Sequence, residues 1–200
     1  MTFAVLLSVL SMCPGMGLLS PGSLLYSQLP DGNECILVCL DSVDVFTRPD
    51  SSSLFMSSLA PGDQVVISGR TDDGWFGFDP GVAQAANIGS FRLRWIAADE
   101  RYVTDGELSC VPVVWGPKAG ITYAMIYETS PLYSEPDSLS AVVDSVPSSC
   151  AAAIISRTED WYLLDLREGS LGLDIEGWIE SMDVSVSGDL DTIPLIDIAN

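Results

Sequence analysis

The stretch VFTRPDSSSLFMSSLAPGDQVVISGRTDD, residues 45–73, returns without a gap as LYSEPDSLSAVVDSVPSSCAAAIISRTED, residues 132–160, at a constant separation of 87 residues. Nine of the 29 aligned positions are identical: Pro49/Pro136, Asp50/Asp137, Ser51/Ser138, Ser53/Ser140, Ser58/Ser145, Ile67/Ile154, Arg70/Arg157, Thr71/Thr158 and Asp73/Asp160. A repeat of this length is too long for a solenoid unit and marks two copies of one small domain.

The correspondence continues on both sides. Skipping Gly74, Trp75 and Phe76 match Trp161 and Tyr162; Trp95 and Ile96 match Trp178 and Ile179. Leu108, Val111, Pro112 and Val113 match Leu190, Ile193, Pro194 and Leu195, while the apolar run 35–40 falls opposite 122–127. Each copy is about 75 to 80 residues, enough for one modest core.

Inside each copy the pattern is one of short strands and tight turns. Residues 64–67, 75–78 and 91–96 answer to 152–155, 161–166 and 177–179, all of strand length. Turn signals separate them: Pro61-Gly62-Asp63, Asp72-Asp73-Gly74 and Asp79-Pro80-Gly81, then Glu159-Asp160 and Glu168-Gly169. The expected fold is all-β, two tandem small β-barrels, with a leading segment 1–34, domain one at 35–115, a Gly/Pro linker at 116–120 and domain two at 121–200.

Charge bounds the partners. Against 8 basic residues stand 28 acidic ones, a net charge of -20, which argues against nucleic acid and anionic membrane surfaces as partners, because both require cationic patches. The acidity is uneven: 35–115 carries 5 basic and 11 acidic residues, 119–200 carries 2 and 15. An acidic ligand would therefore meet the first copy.

The first residues read as a targeting segment. Residues 2–19 hold no charge and 3–10 is almost continuously apolar, the length of a signal-peptide core and too short for a membrane span. A basic start is missing. Leu10, Ser11, Met12 and Cys13 resemble a lipoprotein box in which Cys13 would be lipidated, with Met12 in place of the small residue; cleavage within the Gly/Ser/Pro-rich stretch 14–23 is the competing reading. The expected location is secreted or at the surface of a bacterial envelope, with membrane attachment only through such a lipid anchor.

The remaining cysteines, Cys35, Cys39, Cys110 and Cys150, lack the spacing of a zinc or redox motif. Cys35 and Cys110 bracket the first copy, and both become threonine in the second, Thr122 and Thr192, as expected of a disulfide kept or lost as a pair. Cys39, four residues from Cys35, points to the same face of a strand and competes for the same partner. A loop of about 75 residues closed in this way gains roughly 4 kcal/mol in the chain-entropy model.

Each copy resembles a bacterial Src-homology-3-like (SH3b) domain: an apolar strand, Arg-Pro or Glu-Pro followed by Asp-Ser, a Pro-Gly turn in the first copy, "VVISGRTDDGW" or "AIISRTEDW", and a terminal "RWI" or "GWI". The stretch 79–95 is similar to a variant of this domain in secreted bacterial proteins. The resemblance implies a five-stranded barrel and a role in binding or spacing at the cell envelope, often toward wall peptides. The second copy departs from it, with Glu135 where the first keeps Arg48 and Ser148-Ser149 in place of Pro-Gly.

An enzyme is not expected. The chain has no histidine, which removes Ser-His-Asp and Cys-His nucleophiles and His-ligated metal sites. The paired acids Asp72/Asp73 and Glu159/Asp160 sit before strands, as solvated turn residues do. No cofactor or metal is expected.

The expected function is recognition of a cell-wall peptide or glycan, or of another extracellular protein, through domain one; the alternative is a structural spacer without a small ligand. If 91–96 alternates as a strand, Arg92 and Arg94 share one face and Phe91, Leu93 and Trp95 the other. Phe55, Arg92, Arg94 and Tyr102 are then the candidates for a surface groove, while Trp75 and Trp161 belong to the cores.

Overall fold

The computed structural model describes residues 34–82 and 88–197; the expected signal segment and Cys13 lie outside the described residues. In the first copy the strands are β1 (Ile36–Cys39), β2 (Val43–Phe46), β3 (Phe55–Leu59), β4 (Gln64–Arg70), β5 (Trp75–Phe78), β6 (Arg94–Ala97) and β7 (Tyr102–Asp105). In the second they are β8 (Tyr123–Ile126), β9 (Ser130–Tyr133), β10 (Val142–Val146), β11 (Cys150–Arg157), β12 (Trp161–Asp165), β13 (Glu176–Glu180) and β14 (Val184–Ser187). Among the described residues the helical turns are all short 3-10 segments.

The strands form two seven-stranded antiparallel sheets of the same order, β3-β2-β6-β5-β4-β1-β7 and β10-β9-β13-β12-β11-β8-β14. The irregularities repeat as well: the slip between β4 and β5 at Ile67/Gly69 recurs between β11 and β12 at Ile154/Ser156. Parallel bridges join Arg70 to Val113 and Arg157 to Leu195. Among the described residues the structure differs from the expected five-stranded barrel in having seven strands per sheet, with no ladder joining β3 to β7 or β10 to β14.

The shared residues explain why the two copies bend alike, because several of them bond the backbone. Asp50 accepts from the Ser52 N–H and Asp137 from the Leu139 N–H, each closing an Asx turn. Ser53 donates its hydroxyl to the Arg48 carbonyl at 3.2 Å, Ser140 to that of Glu135 at 3.1 Å. Thr71 and Thr158 accept from the Trp75 and Trp161 N–H groups, fixing the β4–β5 and β11–β12 turns. Arg70 and Arg157 donate Nε–H to the carbonyls of Val111 and Ile193, tying each closing segment to the sheet.

Each sheet wraps its own core. The first gathers Leu37, Val43, Val45, Ile67, Phe78 and Ile96; the second Ile126, Leu132, Ile154, Leu164, Leu166 and Ile179. A third buried cluster joins the copies: Phe91 from the first, with Tyr123, Met125, Ala151 and Ala153 from the second, flanked by Ile88, Trp115 and Ile121. It makes β8 buried on both faces, with Ala124 and Ile126 inward and Tyr123 and Met125 against the first copy. Segment 116–120, expected as a simple linker, is thus held between packed neighbours at Trp115 and Ile121.

Strand β6 starts later than the alternation of 91–96 suggests. Gly89, at φ +47°, opens a 3-10 turn over Gly89–Arg92, a left-handed conformation that glycine adopts without steric cost. Extended backbone begins only afterwards. Ile96 enters the first core, whereas Trp95, fully buried, lies on the opposite face. That face is built on missing side chains: a Cβ on Gly77 would lie 2.7 Å from Leu93 Cδ1 and 3.1 Å from the Trp95 ring, and one on Gly69 2.8 Å from Val114.

Candidate functional site

The outer face of the first sheet carries a row of aromatic rings. Phe46 pairs with Trp95 across β2 and β6 and with Phe55 across β2 and β3, and directly opposed residues share a face. The Phe46 ring stands edge-to-face with Phe55 at 6.3 Å and with Trp75 at 5.8 Å. Phe55 is 54% exposed, while Phe46 and Trp75 are half-buried. In the second copy Tyr133 and Trp161 repeat the pair at 5.5 Å, and Val142 takes the register position of Phe55. Rigid rings with electron-rich faces and electropositive edges make a platform suited to sugar C–H faces and proline rings.

Of the four residues expected in a groove, this face holds Phe55 alone. Arg94 sits opposite Phe78 at the start of β6 and donates to the Leu93 carbonyl at 3.2 Å; burial lowers its pKa. Arg92 lies in the 3-10 turn with its guanidinium 4.0 Å from the Asp79 carboxylate. Tyr102 belongs to the core, only 9% exposed, with its hydroxyl donating to the Ala97 carbonyl and accepting from the Asp99 N–H. Burial first raises its pKa. These positions do not form one groove. Trp75 and Trp161, expected in the cores, are instead half-exposed partners of Phe46 and Tyr133. The signal that finds this face is the aromatic residue held at 46/133 and again at 75/161.

Arg48 has a different task. It crosses from the turn after β2 to the second copy, donating to the carbonyls of Ile121 at 2.8 Å, Lys118, and Ser187 at 3.4 Å. Its guanidinium lies 5.8 Å from the centroid of Phe91 and 5.4 Å from that of Tyr123, within cation–π range. Phe91, Trp115 and Tyr123 pack mutually at 5.3 to 5.9 Å. Beside this seam runs a groove of about 380 Å³ lined by Arg48, Ser52, Leu54, Gly120, Asp189 and Thr192. Lys118 and Glu168 add an ion pair at 2.6 Å.

No disulfide joins Cys35, Cys39, Cys110 or Cys150 among the described residues, so the expected Cys35–Cys110 bond is not formed in the structure. Burial pushes the thiols of Cys35, Cys39 and Cys150 up, and the Asp105 carboxylate adds to the shift of Cys35. Among the described residues no cluster of acidic and sulfur ligands is suited to a metal ion.

No family model matches the chain, and no curated protein does. Among solved structures it is similar to NlpC2 from Trichomonas vaginalis, at a TM-score of 0.28 and 15% identity over 84% of this chain and 52% of that one. NlpC1 from the same organism gives 0.27 and 16%, over 82% and 51%. The chain spans about half the length of either. With neighbours of this name, the expectation that the chain is not an enzyme is not upheld, and it is withdrawn.

Proposed function

We propose that the chain is an extracellular binding module of two SH3b-like units, each a small β-barrel in type, and that it takes a cell-envelope peptide or glycan on the outer aromatic face of the first unit. The observation that carries this reading is the Phe55–Phe46–Trp75 row, three rings packed edge-to-face of which Phe55 is exposed and Phe46 and Trp75 are half-buried. Buried aromatics stabilise a core; half-exposed ones held rigid by edge-to-face contacts are pre-organised for a ligand. The first unit is also the less acidic, so it repels an anionic peptide less.

Binding of the full chain to purified cell wall and to wall-peptide and glycan fragments tests the reading. Saturable binding that falls at least tenfold in Phe55→Ala plus Trp75→Ala, with thermal stability kept, is the expected result. Unchanged binding in that variant, or none in the parent, overturns it. The second reading, a rigid spacer, is favoured by the seam around Arg48, which joins the two units into one packed body.

A further inference from the structure

We propose that Cys35 and Cys110 are an oxidative crosslinking site that ties the entry of β1 to the closing 3-10 turn of the first unit, and that Cys39 takes no part in it. The second unit shows why these two positions meet. There the equivalent residues are Thr122 and Thr192, and both hydroxyls donate to one acceptor, the Asp189 carbonyl, at 3.0 and 2.7 Å. A shared acceptor brings the two side-chain tips together. The Asp189 N–H returns a bond to Thr122 Oγ1 at 3.0 Å, completing a clasp between the first strand and the last turn.

The first unit keeps the same backbone frame. Cys35 accepts from the Ile67 N–H at 2.9 Å, as Thr122 does from Ile154 at the same distance. The turn Leu108–Cys110 repeats Leu190–Thr192: the Cys110 N–H donates to the Glu107 carbonyl at 3.0 Å, as Thr192 does to Asp189 at 3.3 Å. Chain approach is equally close. A Cβ on Gly106 would lie 3.1 Å from Cys35 Cα, and one on Gly188 2.7 Å from Thr122 Cα. Thiols in place of the two hydroxyls lose the hydrogen-bonded clasp and stand where a covalent one forms.

The frame also separates the two candidates for Cys110. Cys35 precedes Ile36, which pairs with Asp105 at the end of β7 that leads into the Leu108–Cys110 turn, whereas Cys39 pairs with Tyr102 at the opposite end of β7. Cys39 is held in that corner by its own bonds, donating N–H to the Asp63 carbonyl and accepting from the Gly62 N–H. The oxidant is a low-molecular-weight disulfide. The half-buried Cys110 thiolate attacks one of its sulfurs and expels one thiol; the Cys35 thiolate then attacks Cys110 Sγ of the mixed disulfide and expels the second. Two protein thiols are oxidised and one small disulfide is reduced to two thiols, with the two protons passing to them.

The test equilibrates the full chain with oxidised or reduced glutathione, alkylates the remaining thiols under denaturing conditions and maps the linked peptides. A Cys35–Cys110 linkage that persists in Cys39→Ser, with a rise in Tm on the order of 10 °C over the reduced protein, is the expected result. The double variant Cys35→Thr plus Cys110→Thr, which copies the second unit, is expected to fold and to lose the dependence of Tm on oxidant. Full alkylation of both cysteines after oxidation, or a map that joins Cys110 to any other cysteine, overturns the proposal.

Discussion

The Arg48 guanidinium lies 5.4 Å from the centre of the Tyr123 ring, so that a side chain of the first unit is seated over the first residue of β8 in the second. The same group donates to the Ile121 and Lys118 carbonyls, at a place where the chain passes from one sheet to the next. Charge-assisted hydrogen bonds to a partly buried arginine are worth about 1.5 to 3 kcal/mol each.

Arg48→Ala is therefore expected to destabilise the protein by about 2 to 4 kcal/mol in urea unfolding, since it leaves carbonyl oxygens of the seam unpaired. Arg48→Lys recovers only part of this, because one ammonium cannot serve carbonyls on both sides of the seam as the planar fork does. Small-angle scattering provides the second readout: a larger radius of gyration is expected for Arg48→Ala, and an unchanged profile and stability would show that the apolar cluster alone holds the units.

Trp95 and Trp75 should separate stability from recognition. Trp95 is fully buried over Gly77, so Trp95→Ala is expected to cost about 3 to 5 kcal/mol. Trp75 is half-exposed, and its replacement is expected to cost about 1 kcal/mol in unfolding experiments. Equal losses from the two substitutions would remove Trp75 from the proposed platform.

Alkaline pH should loosen the seam. Burial first raises the Tyr123 pKa above its ordinary value of 10.0. The folded state thus holds this proton more tightly than the unfolded one, so the stability it contributes is complete below pH 10 and is lost as pH rises through the folded value. Tyr102 shifts in the same direction for the same leading cause. Unfolding free energy measured from pH 8 to 11 is expected to fall toward the top of that range, with a shallower fall in Tyr123→Phe; an identical slope in the variant would remove Tyr123 as a source.

The duplication was legible because many identical residues, Asp50/Asp137, Ser53/Ser140, Arg70/Arg157 and Thr71/Thr158, are those whose side chains bond the backbone and fix its turns. Such roles depend on residue type, so they survive divergence. The seam was not legible for the complementary reason: it is made once. Phe91 and Trp115 pack on Tyr123, and a comparison of two copies cannot single out residues that serve only the junction between them. The alternation over 91–96 failed at Gly89, where the 3-10 turn delays the strand. Tyr102 misled because an aromatic with a polar tip fits a surface groove and a core equally well, and here the Ala97 carbonyl supplies the hydroxyl's partner from within. The outer aromatic pair was present at 46/133 and 75/161, but tryptophans at matching places also mark cores.

Glu135 stands in the second unit where Arg48 stands in the first. Arg48 reaches forward to carbonyls leading into the next sheet, and a carboxylate in its place would set acceptor against acceptor. The junction consequently has polarity, like the distinct ends of a filament: the first unit carries the cation that grips the sheet after it, and the second carries the opposite charge at that place. The order of the two halves is thus written into a single reversal of charge.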